Sequence, residues 1–257
     1  MNLSHFLLLV IFISSFCFSY SRFECFYYYD YFDPIDNYGT YKTYGIRYFK
    51  KINDNQTNFF EYYFNDRYRE KKSSLFSLGM YKDWTKDLYT YSAVSFGTKS
   101  DYLPKFRLDN EFNYKTGKEK NLVFSLGTTY ISYHNGYEDF TFSYGINYYF
   151  RSGVFSYKRL NSNINPGGTN PSSDLFSLGL GAEKKSWLYL NYSYGNQSYL
   201  ANFYSLPFIF DKDFKFYQVS YRTWLSSNRG FMIEYNYLDL RDTYRKPGFM
   251  VGLFYEY

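Results

Sequence analysis

The sequence predicts an all-β fold: a transmembrane, antiparallel, up-and-down β-barrel of about fourteen strands, with about twelve as the alternative. Three observations predict it. Aromatic residues make up 26% of the 257 residues, with 36 Tyr and 29 Phe, and one soluble core cannot bury so many rings. Apolar and polar residues alternate with a period of two along much of the chain. Short and long connections between these segments also alternate, as they do in membrane barrels.

The clearest alternation lies in FTFSYGINYYF, residues 140–150. One parity holds Phe140, Phe142, Tyr144, Ile146, Tyr148 and Phe150, and the other holds Thr141, Ser143, Gly145 and Asn147. The segment FRLDNEFNY, residues 106–114, repeats the pattern with charges on the polar parity, and Asn110 is its one exception. A period of two indicates a β-strand with one apolar and one polar face. We therefore predict strands of roughly ten residues, the length that a tilted strand needs to cross a bilayer. They lie near residues 22–31, 41–50, 58–68, 73–82, 86–98, 103–114, 120–134, 137–150, 152–160, 174–184, 186–196, 213–224, 229–239 and 247–257.

The connections also predict which ends of the strands lie together. Those after even-numbered segments are short, such as DWTK, RSG and KKS, whereas several others are longer, such as NSNINPGGTNPSSD and LRDTYRKP. Both chain ends are expected on the short-turn side, in the periplasm. Trp84, Trp187 and Trp224 fall near short connections, which predicts an aromatic girdle there. The apolar loop 196–210 is expected to fold against the barrel mouth or to extend a hairpin beyond the membrane.

Residues 1–21 contain no Lys, Arg, Asp or Glu and include an apolar stretch from Phe6 to Phe18. This stretch is short for a helical membrane span and suits a secretory signal peptide. We expect residues 1–21 to be cleaved and residues 22–257 to form the barrel. An uncleaved anchor is the alternative, because no basic residue precedes the apolar stretch. Cleavage leaves Cys25 as the only cysteine, so no intramolecular disulfide is expected.

The tetrapeptide FSLG occurs three times, at 76–79, 124–127 and 176–179, and FSYG and YSYG follow the same pattern at 142–145 and 192–195. Parity directs the ring and the third residue of each copy toward lipid and directs Ser and Gly toward the interior. Small inward residues relieve crowding and let strands bend; lining a permeation path is the alternative role. The same parity predicts that Gly145→Arg is better tolerated than Tyr144→Arg.

Charged residues on the inward parity are the candidate lumen-lining residues, since charges avoid lipid. Asp109 and Glu111 form an i, i+2 carboxylate pair that suits acid–base chemistry or, with further oxygen ligands, Ca²⁺. Arg107 on the same face favours an internal ion-pair network instead. The full candidate set is Arg47, Glu61, Arg107, Asp109, Glu111, Lys158, Arg222, Glu234 and Glu256.

An outer-membrane hydrolase is the rival to a non-enzymatic barrel. After signal removal His134 is the one remaining histidine, and Ser132 shares its strand face, so a Ser–His contact is geometrically possible. An exposed histidine in the turn HNG is the simpler interpretation. We expect no enzyme activity, no catalytic residue, no metal site and no cofactor.

The chain resembles the YaiO family of outer-membrane β-barrels over roughly residues 75–257. The resemblance is carried by YKDW (81–84), SLGTTYISY (125–133), FSYGINYYFRSGVFSYKRL (142–160), YLNYSYGNQSY (189–199) and the final strand. It implies a single barrel in the bacterial outer membrane, and some members of the family lie near glycan synthesis or export systems. The family offers no agreed catalytic residues that this sequence could inherit.

The predicted partners follow from the surface and the chain end. The final strand FMVGLFYEY is similar to the one that outer-membrane barrels present to their assembly machinery, which implies recognition through the strand ending at Tyr257. Outer-membrane lipid and a small solute or glycan are the other expected partners. Nucleic acid is not, because the net charge of +5 is spread among interspersed acids and bases. A channel or an envelope structural barrel is the expected function; the alternatives are a lipid-modifying enzyme and a surface-interaction barrel with a plugged lumen.

Overall fold

The computed structural model describes residues 20–34, 39–68, 72–100, 102–166, 168, 170–196 and 213–257. In these residues fourteen antiparallel strands close into one barrel, in which each strand pairs with its sequence neighbours and the first pairs with the last. The predicted fold class and the count of fourteen strands are confirmed. The strands are β1 (Ser21–Tyr31), β2 (Thr40–Asn53), β3 (Gln56–Arg67), β4 (Ser73–Asp83), β5 (Leu88–Gly97), β6 (Pro104–Thr116), β7 (Leu122–Tyr133), β8 (Glu138–Phe150), β9 (Gly153–Asn165), β10 (Ser172–Ala182), β11 (Ser186–Gly195), β12 (Phe214–Ser226), β13 (Arg229–Leu240) and β14 (Tyr244–Glu256).

Short turns and chain ends share one end of the barrel. Even-numbered strands are joined to the next strand by turns as short as residues 54–55 and 227–228. At the same end, the backbone of Ser21 exchanges hydrogen bonds of 2.8 and 2.9 Å with that of Tyr257. The connection between β13 and β14 departs from the prediction: it spans only residues 241–243, because both strands continue into the expected loop LRDTYRKP.

Two expectations, the signal peptide and the folded apolar loop, concern residues that lie almost wholly outside the described ranges. Residues 1–19 of the expected signal peptide and residues 197–210 of the apolar loop belong to the undescribed part of the chain. No helix that is long and apolar enough to cross a membrane occurs among the residues that the structure describes.

Cysteine labelling should reveal the orientation of the barrel. In a Cys25→Ser background, a cysteine at Asn170, between β9 and β10, should react with a membrane-impermeant maleimide on intact cells. A cysteine at Lys118, in the short turn after β6, should react only after the outer membrane is opened, because short turns face the periplasm. Labelling of both residues on intact cells, or of Lys118 alone, would refute this topology.

The FSLG-type segments have the predicted orientation. In β7, Phe124 and Leu126 are 49% and 54% exposed, whereas Ser125 between them is 3% exposed. The copies in β4 and β8 behave in the same way, and in β10 the ring and the Leu are half-buried. Because a barrel has no second layer to cover its outside, this exposed apolar face is the one that lipid covers.

The aromatic girdle predicted from the three tryptophans is wrong for two of them. Trp84 is exposed, as predicted, but Trp187 and Trp224 pack inside the barrel. Their strand neighbours take the outward parity instead, and Leu225 is 68% exposed. A position near a short turn therefore does not decide whether a tryptophan side chain points toward lipid or toward the lumen. The alternation of side chains along the strand decides it.

One ion pair faces outward in the apolar band. Arg159, at the middle of β9, lies 2.5 Å from the carboxylate of Asp174 on β10 and donates to Ser172 at 2.7 Å. Tyr157 donates to the same carboxylate at 2.8 Å. A charge in this band is costly, so its neighbours neutralise it locally.

Candidate functional site in the barrel lumen

Apolar side chains fill one side of the barrel interior. They come from β1–β4 and β12–β14 and from the connections that follow β1 and β5, and we call them the inner aromatic cluster. It consists of Phe26, Tyr28, Phe32, Tyr41, Tyr63, Leu75, Tyr102, Leu103, Phe214, Trp224, Met232, Leu238, Leu240, Tyr244, Met250 and Phe254. Rings therefore occupy the lumen as well as the lipid face, which explains how the chain accommodates its aromatic content.

The opposite wall is built from small residues. Gly127 on β7 lies beside Glu111 on β6, and Gly145 on β8 lies beside Lys158 on β9. The carboxylate of Glu111 and the amine of Lys158 meet across β7 and β8 in an ion pair. The inward Ser and Gly residues of these two strands thus leave the space that the long ion pair occupies.

Little space remains at Gly145, which weakens the basis for the expectation that Gly145→Arg is better tolerated than Tyr144→Arg. A Cβ atom at this position would lie 2.6 Å from the backbone carbonyl oxygen of Tyr157 and 2.9 Å from Oγ of Ser125. Real Cβ atoms do not approach backbone oxygens so closely, so any side chain here must displace β9. The inward face is hydrophilic at this level, but it is tightly packed.

The carboxylate pair of β6 is neutralised by neighbouring cations. Arg107 donates to both oxygens of Asp109, at 2.6 and 2.8 Å, and Thr129 donates to it at 2.7 Å. Glu111 is held by Lys158. In the described ranges no group of three acids, histidines or cysteines is placed to hold a metal ion. The arrangement is the ion-pair network that Arg107 suggested.

A second charged network joins β1, β2, β3 and β12. Glu24, nearly fully buried, lies 2.8 Å from Arg222 and 3.6 Å from Arg47. Arg47 also lies 3.2 Å from Glu61, and its guanidinium stacks on Phe26 at 4.5 Å from the ring centre. Glu234 lines the same part of the lumen, beside Gln218 and Tyr28. Sequence reasoning missed Glu24, although it shares the inward parity of Arg22.

The barrel closes through a third network, which we call the seam network: Tyr20, Arg22, Lys184, Trp224 and Glu256. The carboxylate of Glu256 accepts hydrogen bonds from Tyr20 at 2.6 Å, Arg22 at 2.9 Å and Trp224 at 3.0 Å. Lys184, in the turn after β10, donates to it as well, and this hydrogen bond raises the pKa of Lys184. Glu256 is therefore a structural acceptor at the junction of β14 with β1.

His134 lies in the turn after β7 and has a backbone partner. Its Nε2 is 3.1 Å from the carbonyl oxygen of Gly97, at the end of β5. Within the described chain, His134 and Ser132 form no hydrogen bond with each other. The structure therefore does not bring these two residues together as a nucleophile and its base.

Two of the cavities that the described residues line have no lining residue in common. The first, which we call the chamber, has a volume of about 460 Å³ and reaches from Asn65 and Asn236 to Arg47 and Arg222. The second, at the short-turn end of β4–β9, has a volume of about 1080 Å³ and is lined by Tyr, Lys and Arg side chains; we call it the vestibule. Its residues are Tyr81, Asp83, Tyr89, Lys115, Glu119, Lys120, Asn121, Val123, Tyr148, Tyr149, Phe150 and Arg151.

Comparisons with known proteins agree with this architecture. The profile of the YaiO membrane beta barrel domain matches residues 21–200. No curated protein matches the sequence. A solved bacterial polysaccharide outer membrane secretin is 7% identical, with a TM-score of 0.57 over 92% of this chain and 98% of its own.

Two further solved structures show the same barrel fold. The outer membrane protein Omp33 of Acinetobacter baumannii is 12% identical, with a TM-score of 0.53 over 93% of this chain and 99% of its own. The translocator domain of autotransporter NalP from Neisseria meningitidis is 13% identical, with a TM-score of 0.51 over 99% of this chain and 94% of its own. At such identities the likeness concerns the fold alone.

Proposed function

The chain belongs to the YaiO membrane beta barrel family and lies in the bacterial outer membrane, and from that premise we propose that it is a channel for small polar solutes. The observation that carries the proposal is the chamber, a cavity inside the closed barrel whose wall includes amide, hydroxyl and charged side chains. A purely structural barrel has no need for an internal cavity in which polar and charged side chains stand among aromatic ones.

The dimensions of the lumen favour small solutes over polymers. The inner aromatic cluster fills one side, and the Glu111–Lys158 pair covers the wall on the other. The link to glycan export that the family resemblance implies is compatible with sugar-sized units rather than with a wide conduit. A non-enzymatic barrel remains our proposal; His134 lies against the backbone of Gly97 rather than against Ser132.

Single-channel recording in planar bilayers tests the proposal. The wild-type barrel should give a small conductance, and the double variant Glu111→Ser/Lys158→Ser should give a larger one, because it removes two long side chains from the lumen. Lys51→Ser/Asp54→Ser is the matched control. It removes a 2.7 Å ion pair at the exposed short turn after β2, outside the lumen wall that the Glu111–Lys158 pair covers, so its conductance should equal that of the wild type.

If the wild type and both variants fold but give no measurable conductance, the channel proposal is rejected. That result would support the second candidate function, a structural barrel with a filled lumen, which the inner aromatic cluster favours. Folding is monitored by the heat-dependent shift in electrophoretic mobility, so that a silent barrel is not confused with an unfolded one.

A further inference from the structure

We propose that the chamber is a binding site for a neutral, polyhydroxylated solute of about monosaccharide size. The inference rests on the proposed channel function and names its substrate class. It concerns binding, however, which can be measured without any conduction. The chamber volume of about 460 Å³ lies within the range of small-molecule pockets, about 300–1,000 Å³.

Two buried amides in the chamber wall have unsatisfied polar atoms. Asn65 and Asn236 are each only 3% exposed. Oδ1 of Asn65 accepts hydrogen bonds from Tyr41 and Thr43, both at 2.9 Å, but its Nδ2 has no partner. Oδ1 of Asn236 also has no partner. A buried donor and a buried acceptor are thus both without a protein partner, which is unfavourable unless a ligand or a water molecule pairs with them.

A hydroxyl group suits such a wall because it donates one hydrogen bond and accepts others. A solute with several hydroxyls can pair with the donor of Asn65 or the acceptor of Asn236 once the side chain turns that atom toward the chamber. The rings of Tyr28, Tyr63 and Phe216 line the same cavity and supply apolar faces for the carbon skeleton. A few polar groups among aromatic ones is the usual composition of a small-molecule site.

The positive charges that line the chamber already have carboxylate partners, which disfavours an anionic solute. Arg47 and Arg222 both face Glu24, at 3.6 and 2.8 Å. Lys246 lies 3.4 Å from the fully buried carboxylate of Asp30. An anionic solute would have to compete with these carboxylates and also give up its own hydration.

Glu234 is the chamber residue that could instead attract a cation. Its neighbours include Gln218 and Tyr28, which hydrogen-bond to it, and Arg47, which acts on it electrostatically. The positive charge of Arg47 opposes a cationic ligand at this position. Titration with a cationic sugar therefore tests whether Glu234 attracts a positively charged ligand.

The test is calorimetric titration of the folded barrel in an amine-oxide detergent, which carries no sugar group. The probes are glucose, the cationic glucosamine and the anionic gluconate. Glucose should bind roughly tenfold or more tightly than either charged probe. Absence of glucose binding, or equal or tighter binding of a charged probe, would overturn the proposal even without any variant.

Two variants locate the site. Asn236→Leu removes the vacant acceptor, and Asn65→Asp removes the vacant donor while it keeps an acceptor for Tyr41 and Thr43. Each should weaken glucose binding roughly tenfold. The controls are Asn113→Leu and Asn113→Asp, since Asn113 is equally buried on the inward face of β6 but lines neither cavity. Folded variants that bind glucose as well as their controls would contradict the assignment.

The binding result and the conductance result are separable. Glucose binding by a barrel that never conducts would keep this site and reject the channel. Conduction without glucose binding would keep the channel and reject this site.

Discussion

Glu256→Leu should lower the free energy of unfolding by about 1–3 kcal/mol, the usual cost of leaving a buried hydrogen-bonding group unsatisfied. Glu256 is only 2% exposed, and its carboxylate accepts from every other member of the seam network. Its loss would leave the indole N–H of Trp224 without its acceptor and would remove the nearest carboxylate from the guanidinium of Arg22 at the junction of β1 and β14. The barrel should therefore unfold at lower urea concentration in lipid vesicles.

Glu183→Leu is the matched control for this prediction. Glu183 lies in the same turn as Lys184 and reaches the same guanidinium of Arg22, at 3.4 Å, but it is 58% exposed. Exposed ion pairs contribute about 0–1 kcal/mol, so its removal should change little. If both variants unfold at the urea midpoint of the wild type, the seam network does not stabilise the closed barrel.

Tyr144→Arg and Gly145→Arg should both reduce the stability of the barrel, for different reasons. Tyr144 faces outward at the middle of β8, where Arg costs about 2–4 kcal/mol against lipid. Its cross-strand neighbour is Arg159, so the new charge also meets a like charge. At Gly145 the cost is steric, about 1–3 kcal/mol or more, because the inward side chain collides with the backbone of β9.

Asn147→Arg separates the cost of placing a charge against lipid from the cost of a steric collision with β9. Asn147 shares the inward parity of Gly145 on the same strand but is half-buried near the vestibule, so a charged side chain can remain hydrated there. Its urea midpoint should stay close to that of the wild type. If Gly145→Arg is tolerated as well as Asn147→Arg, the wall of small residues is more open than its packing indicates.

The orientation of most side chains could be predicted because it depends only on local alternation. Ser125 and Ser143 are buried between exposed neighbours, as the period of two requires. On β1 the signal fails, because rings occupy both parities from Phe26 to Tyr29. The inward Glu24 therefore lacked the polar pattern that marks an inner face, and it was missed.

Side-chain partners could not be predicted, because they depend on how the strands are staggered. Lys158 meets Glu111 across 47 positions and two intervening strands, and no local pattern encodes that distance. The same limit applies to Trp187 and Trp224. A rule that assigns rings to lipid fails wherever the lumen is itself packed with rings, and only the closed barrel reveals which side is filled.

The hydrogen bond between Arg22 and Glu256 also constrains the order in which the chain folds. These residues are 234 positions apart, so their contact stabilises the chain only after nearly all of it has been ordered. Until then β1 and β14 remain free edges with unpaired backbone donors and acceptors. Pairing of such distant segments is intrinsically slow, which prolongs the lifetime of the open sheet. During that interval the edges of two chains can pair with each other, so the yield of correctly folded barrels should fall as the protein concentration during refolding rises.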